Sequence, residues 1–402
     1  MIMTFEQGRS GIRPHLFVNQ EMDVQLMRTW STMSEGGAEI GELLNVVRNT
    51  SDGDIESYAR ALSEAAYRVQ KQADKALAEG HRRSAHLAYL RACSYYRSAM
   101  GALSPLQADH RRYWEQSRDA FEHACELLEI VWKKHEVPYK QGVLPSYLLC
   151  APSPANASQP TLIVATGGEG TAMETYLWIG AECIRRGYNV LLYEGPHNPG
   201  AKYAGGLGLL DPEECEHCMS LVIDQIINNP NVDSSRIAVI GFSFGGYVAI
   251  RSAAHDPRIR ALIANSPVRS LYEVLRTAIP MEALQFSNEM ITEIVSPAEK
   301  AILDVAMTAF GADSLLELMN TLQRYNVDGI EQNIHCPTLS LAGEEEGSDF
   351  LLQARAFHRN IPAANKELKI FTVEEGAAAH CQVNHLSLMR QYTFDFLDRV
   401  FQ

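Results

Sequence analysis

The chain is 402 residues long, a length that suits two domains or one large domain with insertions. Hydrophobic residues make up 46% and charged residues 21%, as in ordinary globular proteins, which excludes a largely disordered chain. The formal net charge of −14 disfavours nucleic acid and anionic membranes as partners, because both carry negative charge themselves.

The sequence predicts a cytoplasmic protein. No apolar run reaches membrane-spanning length, and residues 1–17 lack the apolar core of a secretory signal. The eight cysteines are scattered along the chain, which favours reduced thiols over a disulfide framework. The single CxxC motif, Cys215 to Cys218, falls within a predicted helix and has no second cysteine pair. We therefore interpret it as structural and expect no metal site.

Residues 1–135 predict a helical N-terminal domain that caps the rest of the protein. Apolar and alanine positions recur at three- and four-residue spacing in residues 54–78 and 81–100. Ser104-Pro105-Leu106-Gln107 then predicts an N-cap and first turn, opening a helix that runs through Trp132. The spacing does not recur at a fixed period, so we predict no repeat array.

Residues 136–402 predict a sheet domain. Two segments, Val137 to Tyr139 and Leu144 to Ala151, predict a β-hairpin with Gln141 and Gly142 in its turn. Short, continuously apolar runs predict further strands at residues 161–166, 188–194, 236–241, 259–265, 338–342 and 368–373. Helical patterns separate most of them, at residues 174–186, 211–228, 246–254, 350–359 and 386–401. Continuous apolarity is typical of strands buried on both faces, so we predict an α/β fold with a mainly parallel central sheet.

Residues 268–335 interrupt this alternation and predict an inserted helical lid. They carry helical patterns and no strand, and they lie where the carboxyl edge of the sheet would open. Two segments that combine a capping residue, a proline and a glutamate predict helix starts: Ser296 to Glu299 in the lid, and Asp211 to Glu214 before it.

A strand-turn-helix pattern around Ser243 predicts a catalytic nucleophile. The segment Gly241-Phe242-Ser243-Phe244-Gly245 follows a β-branched apolar run and precedes a helical pattern. Glycines on both sides allow a sharp turn that lifts the serine hydroxyl out of the sheet. The amide of Phe244 lies at the start of the helix, where backbone donors have no intrahelical partner, so we expect it to contribute to an oxyanion hole.

The base and the acid are expected after later strands, in the order serine, acid, histidine. His380 follows the last predicted strand directly and is the predicted base, with His385 as the fallback. The loop after residues 338–342 holds two carboxylates, Glu346 and Asp349, that could orient this histidine. We favour Glu346, three residues after Gly343, and keep Asp349 as the alternative.

The loop after the first strand of the parallel sheet, residues 167–170, reads Gly-Gly-Glu-Gly. We predict that backbone amides of Gly168 and Glu169 complete the oxyanion hole, with the Glu169 carboxylate turned away from it. The loop lacks the Lys-Ser/Thr ending of a phosphate loop, and the six-residue glycine fingerprint of dinucleotide-binding proteins is absent, so nucleotide binding is disfavoured.

These motifs together resemble a known family. They are similar to the motifs of one group of α/β-hydrolases: Gly-Phe-Ser-Phe-Gly-Gly at the predicted nucleophile, Glu194-Gly195-Pro196 after an earlier strand, and Ala-His-Cys-Gln near the end. That group contains 2,6-dihydroxypseudooxynicotine hydrolase, fermentation-respiration switch proteins and fungal yellowish-green pigment hydrolases. The resemblance covers most of the chain from about residue 87.

The resemblance implies an α/β-hydrolase fold and cleavage of esters, or of carbon-carbon bonds beside carbonyls, without a cofactor. The family's serine and histidine correspond to Ser243 and His380. The family's acid position holds Glu346 in place of aspartate. His197 stands where many members have glycine, which implies a changed substrate pocket that we expect to include Phe242 as well.

The leading hypothesis is therefore a serine hydrolase for a bulky small-molecule substrate, with carbon-carbon cleavage favoured. A lidded esterase, lactonase, amidase or acyl-transfer enzyme is the alternative within the same class. A catalytically idle hydrolase fold that serves as a binding protein is the alternative of another class. The sequence leaves homodimer formation open.

Overall fold

The computed structural model describes residues 12–153, 157–208, 211–276 and 279–402. The first eleven residues of the predicted N-terminal domain, and two residues of the predicted lid, therefore lie outside the described part. The α-helices of the described part, in chain order, are α1 Gln20–Trp30, α2 Ile40–Arg48, α3 Ile55–Ala78, α4 Arg82–Gly101, α5 Ala108–Glu126, α6 Ala172–Thr175, α7 Ala181–Arg185, α8 Pro199–Tyr203, α9 Glu214–Ile226, α10 Phe244–His255, α11 Leu271–Arg276, α12 Asn288–Ile294, α13 Pro297–Phe310, α14 Leu315–Leu322, α15 Ser348–Asn360 and α16 Leu386–Phe401.

Shorter helical turns complete the pattern. A π-helical segment, Tyr176–Gly180, joins α6 to α7, and 3₁₀ turns lie at Ser31–Glu35, Met281–Gln285, Glu331–Asn333 and His380–Gln382. None of the helices within the described ranges is both long enough and apolar enough to cross a bilayer.

The strands form one eight-stranded sheet: β1 Trp132–Tyr139, β2 Gly142–Leu149, β3 Gln159–Ala165, β4 Asn189–Tyr193, β5 Val232–Phe242, β6 Ile259–Asn265, β7 Thr338–Gly343 and β8 Lys366–Phe371. Their order is β1-β2-β4-β3-β5-β6-β7-β8. The hairpin β1-β2 is antiparallel and β2 pairs antiparallel with β4, while every other neighbouring pair is parallel. The predicted fold class is confirmed.

The strand order places a crevice beside the predicted nucleophile. β3 pairs with β4 on one side and with β5 on the other. The chain therefore adds β4 on one side of β3 and then crosses over to add β5 on the other side. In parallel sheets such a reversal opens a crevice at the carboxyl ends of the strands. Ala165 at the end of β3 pairs with Gly241 near the end of β5, so the loop after β3 meets the turn that carries Ser243.

The sheet separates two hydrophobic cores, because successive side chains of a strand point to opposite faces. On β3, Leu162 and Val164 face one core, and Ile163 and Ala165 face the other. The first core includes α1 to α5 and α16, whereas the second includes α9, α10 and the helices between β6 and β7. The N-terminal helices thus pack on one face of the sheet and most of the inserted helices on the other, while α13 contributes Ala298 and Ala301 to the first core and Leu303 to the second.

The boundary between the helical part and the sheet differs from the prediction. α5 begins at Ala108 with Gln107 at the N-cap position, and it ends at Glu126. The predicted helix start at Ser104 and the run through Trp132 are wrong, because residues 104–107 form a separate turn. In this turn Ser104 Oγ accepts from Leu106 N at 3.2 Å, and Gln107 Oε1 accepts from Ser104 N at 2.9 Å, as a capping glutamine would. Trp132 already belongs to β1, where its pairing with Leu149 in the hairpin outweighs the helical pattern.

The two predicted helix starts have opposite outcomes. At α13 the capping box is confirmed: Ser296 Oγ accepts from Glu299 N at 3.3 Å, and Glu299 Oε2 accepts from Ser296 N at 2.8 Å. At α9 the prediction is wrong, because the helix begins only at Glu214. The side chain of Asp211 lies 3.3 Å from Arg324 Nη2, so it pairs with the inserted segment and does not cap α9.

The segment between β6 and β7 is helical, as the pattern predicts. It contains α11 to α14 and one isolated antiparallel bridge between Ser270 and Asn326. α13 reaches the N-terminal helices, because Ser104 Oγ donates to Asp304 Oδ2 at 2.7 Å within a buried contact. The inserted helices and the N-terminal helices therefore meet beside the crevice.

Candidate active site

Ser243 lies at the apex of a strained turn between β5 and α10. Its backbone has φ 56° and ψ −120°, a conformation that L-residues avoid unless the surrounding structure imposes it. The turn is held by Ser243 N, which donates to Asn265 O at 2.7 Å, and by Gly246 N, which donates to Ser243 O at 2.8 Å. Such strain is typical of functional positions, and it leaves the serine side chain partly exposed.

Glycine is required at this turn because the backbones approach too closely for a side chain. A Cβ at Gly241 would lie 1.9 Å from Gly245 O, and a Cβ at Gly245 would lie 2.2 Å from Ala165 O. Both distances are far below van der Waals contact. The glycines therefore allow α10 to start against the ends of β3 and β5.

Three side chains from three loops form a continuous hydrogen-bonded row. His380 Nε2 lies 2.9 Å from Ser243 Oγ, and His380 Nδ1 lies 2.7 Å from Glu346 Oε2. Ser243 follows β5, Glu346 follows β7 and His380 follows β8. Of the two carboxylates that the sequence left open, the structure brings Glu346 to the histidine, whereas Asp349 lies in the first turn of α15.

Glu346 is buried and its carboxylate accepts three hydrogen bonds. The residue is 3% exposed. Oε1 accepts a hydrogen bond from Gly343 N at 2.8 Å. Oε2 accepts one from Ser266 Oγ at 2.6 Å and one from His380 Nδ1 at 2.7 Å. A carboxylate that accepts at Nδ1 holds the proton of the neutral ring there, which leaves Nε2 as the acceptor facing Ser243.

The environment of His380 acts on its pKa in two directions. Burial alone lowers the pKa of the ring, but contacts with Cys381 and with the Glu346 carboxylate raise it, and the net pKa lies above its ordinary value. The ring of Phe350 lies 4.7 Å from the His380 ring, centroid to centroid, and shields one side of it.

His385, the fallback base, does not reach the serine. Its Nδ1 lies 3.0 Å from the carbonyl oxygen of Glu375, at the start of α16. The structure therefore pairs Ser243 with His380, the residue that directly follows the loop after β8.

The loop after β3 lies directly against the nucleophile turn. A Cβ built at Gly167 would come within 3.3 Å of Ser243 Cβ. Gly168 and Glu169 follow it, and Phe244 is the first residue of α10. The three predicted oxyanion-hole residues are therefore chain neighbours of Gly167 or Ser243, and their role in an oxyanion hole stays a prediction.

The Glu169 side chain is held by charges on the N-terminal helices. Its carboxylate forms an ion pair with Arg28 of α1, and its backbone oxygen accepts from Arg97 Nη2 of α4 at 3.1 Å. Arg28 also binds both carboxylate oxygens of Glu174 at 2.6 Å each. We call Arg28, Arg97, Glu169 and Glu174 the buried charge network.

The loop after β4 supports the loop after β3 from the other side. Asn198 Nδ2 donates to Gly167 O at 2.8 Å and to Gly170 O at 3.3 Å. Glu194 is buried, and its two carboxylate oxygens accept from Ala172 N at 2.8 Å and from Gly200 N at 2.6 Å. Burial raises the pKa of Glu194 to about 7.

A cavity lies between the loop after β3, the loop after β4, the N-terminal helices and α13. Gly168, Glu169 and His197 line it. The His197 ring also lies 4.7 Å from the Phe244 ring in an edge-to-face contact, and burial lowers the pKa of His197 to about 3, so the ring is neutral. His197 is therefore placed between the cavity and the nucleophile turn.

Phe242 does not line this cavity, so its expected place in the pocket is wrong. The residue is 1% exposed, and its ring packs edge-to-face on Trp178 at 5.3 Å. The physical reason is strand alternation: Ser243 departs from the sheet at the turn, while Phe242 is still part of β5 and faces the first core.

The CxxC cysteines are buried in α9, and burial raises the pKa of both thiols. Within the ranges that the structure covers, no group of three or more His, Cys, Asp or Glu side chains could hold a metal ion.

Comparison with known proteins identifies the family. The model of the family described as "Esterase FrsA-like" matches residues 45–312. This chain belongs to the esterase FrsA-like family. The curated relatives of this FrsA-like chain include the hydrolase LUC6 of a Fusarium species, which is 30% identical, with 96% of this chain and 98% of the relative covered. They also include the 20-hydroxy-prefusarin hydrolase FUS2 of Gibberella moniliformis, 28% identical with the same coverage.

Solved structures confirm the α/β-hydrolase fold of this FrsA-like chain. The crystal structure of 2,6-dihydroxy-pseudo-oxynicotine hydrolase matches with a TM-score of 0.71 and 19% identity, and the match covers 92% of this chain and 95% of that one. The structure titled AbyA5 Wildtype matches with a TM-score of 0.67 and 13% identity, covering 94% and 93%. At these identities the likeness establishes the fold alone.

Several residues at the site carried no local signal in the sequence. Ser266 follows β6 and contacts Glu346, eighty positions away. Arg28 and Arg97 lie on helices whose pattern indicates packing only, and their partners belong to the loop after β3 and to α6. A charged residue on the buried face of a helix is the one signal that could have drawn attention to them, because such residues need a partner.

Proposed function

We propose that this protein is a serine hydrolase that cleaves a carbon-carbon bond beside a carbonyl, or an acyl bond, in a bulky aromatic or polyketide-like metabolite. The observation that carries the proposal is the row Ser243-His380-Glu346, with distances of 2.9 and 2.7 Å between successive side chains. Nucleophile, base and orienting carboxylate in this geometry are the parts that acyl-transfer chemistry needs.

In the proposed reaction, Ser243 Oγ attacks the substrate carbonyl while His380 Nε2 takes the hydroxyl proton. Negative charge then develops on the carbonyl oxygen, which backbone amides of Phe244 and of the Gly168-Glu169 loop stabilise. Collapse of this intermediate breaks the bond to the leaving group, which departs with the electron pair and receives the proton from His380. Water, activated by the same histidine, releases the acid from Ser243.

Two features favour a bulky substrate. The crevice is enclosed by helices from the N-terminal part and from the segment between β6 and β7, which meet at Ser104 and Asp304. A relative that is similar over 96% of this chain is named a 20-hydroxy-prefusarin hydrolase. Carbon-carbon cleavage also needs an enclosed pocket, because the carbanion-like leaving group must be stabilised in place. A lidded esterase, lactonase or amidase is the runner-up.

The nucleophile is tested with a fluorophosphonate probe and with Ser243→Ala. We expect the probe to label the native protein and not the variant, and turnover to fall roughly a thousandfold or more, because nucleophile and base act as a unit. Circular dichroism of the variant controls for folding. Near-normal turnover by Ser243→Ala, or equal labelling of both proteins, would refute the assignment. Absence of labelling in the native protein would favour the idle binding protein.

The bond type is tested by comparing an aryl β-diketone and an acyl naphthol with aryl esters of the same size. We expect the native protein to cleave the diketone and Ser243→Ala to leave it intact. Turnover of the esters alone, with a diketone that is neither cleaved nor inhibitory, would reject carbon-carbon cleavage and leave a lidded esterase.

A further inference from the structure

The cavity beside the nucleophile turn contains a lysine that the proposed reaction does not use. Lys202 lies on α8, the short helix after β4, and it lines the cavity together with His110 and Tyr203. Among the described residues that line the cavity, it is the only Lys or Arg. A positive charge in a substrate cavity selects the charge of the substrate.

Lys202 lacks the carboxylate partner that a half-buried lysine usually has. Across residues 12–153, 157–208, 211–276 and 279–402, no hydrogen bond or ion pair engages its ammonium group. The ammonium group makes a cation-π contact with the Tyr203 ring, whose centre lies 5.7 Å from Lys202 Nζ. Burial alone lowers the pKa of Lys202, and no charged group opposes that change.

The other titratable groups of the cavity do not neutralise this charge. The Glu169 carboxylate is bound by Arg28 of the buried charge network. His110 is neutral, since burial and then the charge of Lys202 itself lower its pKa to about 3. His110 Nδ1 lies 2.7 Å from the Tyr203 hydroxyl, and burial raises the pKa of that phenol to about 12, so it stays protonated. The cavity is therefore left with an uncompensated positive charge.

The wall of the cavity adjoins the nucleophile turn through the loop after β3. Gly168 and Glu169, at the cavity wall, directly follow Gly167, whose Cβ would lie 3.3 Å from Ser243 Cβ. His197, also at the wall, contacts the ring of Phe244 next to the nucleophile. A substrate whose carbonyl is held at Ser243 would extend past this loop towards α8.

We propose that Lys202 is a substrate-binding residue that receives an anionic oxygen, a carboxylate or an enolate, on the part of the substrate beyond the scissile carbonyl. The proposal deepens the proposed function, since it names the substrate class of the same site. A half-buried ammonium group attracts such an oxygen more strongly than a fully exposed one. For carbon-carbon cleavage the same charge would stabilise the enolate that departs with the electron pair.

The catalytic test compares two substrate pairs that differ in charge. One pair is 4-nitrophenyl hydrogen glutarate, which carries a carboxylate, and its neutral methyl ester. The other is 1-phenyl-1,3-butanedione, which forms an enolate, and its 2,2-dimethyl derivative, which does not. We expect the native enzyme to prefer the anionic member of at least one pair, and Lys202→Met to reduce that preference in kcat/KM by roughly tenfold or more.

Two control variants accompany the test. Lys202→Arg keeps the charge and should retain most of the preference. Lys75→Met removes a lysine whose side chain is 76% exposed on α3, and it should leave the preference unchanged. The pair that responds to Lys202→Met identifies the anion as carboxylate or enolate. An unchanged preference in Lys202→Met for both pairs would overturn the proposal, as would an equal loss in Lys75→Met.

A binding measurement separates this proposal from the proposed function. In the Ser243→Ala background, calorimetry compares monomethyl glutarate with dimethyl glutarate, and repeats the comparison after Lys202→Met. Weaker binding of the anion alone in the double variant supports the anion site even where Ser243 fails as the nucleophile. Binding of both ligands that does not depend on Lys202 refutes the anion site while leaving the nucleophile assignment intact.

Discussion

Replacement of Glu346 by glutamine tests how the buried carboxylate controls the histidine. The wild-type carboxylate faces three donors: Gly343 N at Oε1, and Ser266 Oγ and His380 Nδ1 at Oε2. Glutamine supplies one oxygen and one NH₂ group in the same space. Its NH₂ must face either Gly343 N, where two donors would oppose each other, or His380 Nδ1.

The second orientation is the one that glutamine should adopt, because the amide of Gly343 cannot change its role. His380 Nδ1 then has to accept, which puts the proton of the neutral ring on Nε2, opposite Ser243 Oγ. That tautomer cannot take the serine proton. We therefore expect Glu346→Gln to lower kcat about 10⁴-fold, the loss seen when the aspartate of a Ser-His-Asp triad is replaced by its amide.

The assay is kcat/KM against pH for an aryl ester, with Asp349→Asn as the matched control. Because the Glu346 carboxylate contributes to the raised pKa of His380, the native rate should rise with pH as the ring loses its proton. In Glu346→Gln this rise should move to lower pH and the plateau should be far lower. Asp349→Asn should change the rate by less than about threefold. A Glu346→Gln enzyme of near-native rate, or a larger loss in Asp349→Asn, would refute this reasoning.

Three further predictions concern the support of the site. Gly245→Ala should destabilise the fold by more than about 3 kcal/mol, because the added Cβ would lie 2.2 Å from Ala165 O. Gly41→Ala in α2 should not destabilise the fold, because no atom lies within 4 Å of the added Cβ. Urea unfolding measures the stability of both variants. Arg28→Met should cost about 3–5 kcal/mol by leaving Glu174 and Glu169 short of a partner. Arg399→Met should cost less than about 1 kcal/mol by the same measurement, because its side chain is 54% exposed and that of its partner Glu367 is 43% exposed. Burial raises the pKa of Glu194 from 4.5 to about 7, so between these pH values the folded state keeps a proton that the unfolded state loses. The free energy of unfolding should therefore fall on the order of 3 kcal/mol as pH rises from 4.5 to 7. Glu194→Gln should lack this pH dependence, and an equal slope in both proteins would contradict the assignment.

The sequence predicted those parts of the fold whose signals are local. The strands β3, β4, β6 and β7 and the second half of β5 are largely continuous apolar runs, and the turn at Ser243 needs glycines at fixed positions, so both are visible within a short window. The start of α9 and the extent of α5 were not predictable in this way. Asp211 is engaged by Arg324 from the inserted segment, and Trp132 by its partner strand. Both outcomes depend on contacts that are remote in sequence.

The candidate site shows the same division between local and remote signals. The order of Ser243, an acid and His380 could be predicted because each follows a strand. The spacing from Gly343 favoured Glu346 over Asp349 but left both open, because the choice depends on how the loop folds back. Glu346 N lies 3.3 Å from Gly343 O, and this tight turn returns the longer glutamate side chain to the end of β7, where Oε1 accepts from Gly343 N. Ser266, on a different strand, then fixes Oε2.

The buried charge network implies that the N-terminal helices are part of the active site as well as a cover over it. In the proposed reaction, the backbone of the loop after β3 would have to keep its amides aimed at the position of a developing oxyanion, where an error of about 1 Å is costly. Asn198 holds this loop through Gly167 and Gly170 from within the sheet domain. From the other side, Arg97 of α4 holds the carbonyl of Glu169. Because guanidinium groups and carboxylates at such depth are stable only when paired, the loop and the helices constrain each other, and loss of the helices would release the loop as well as open the cavity.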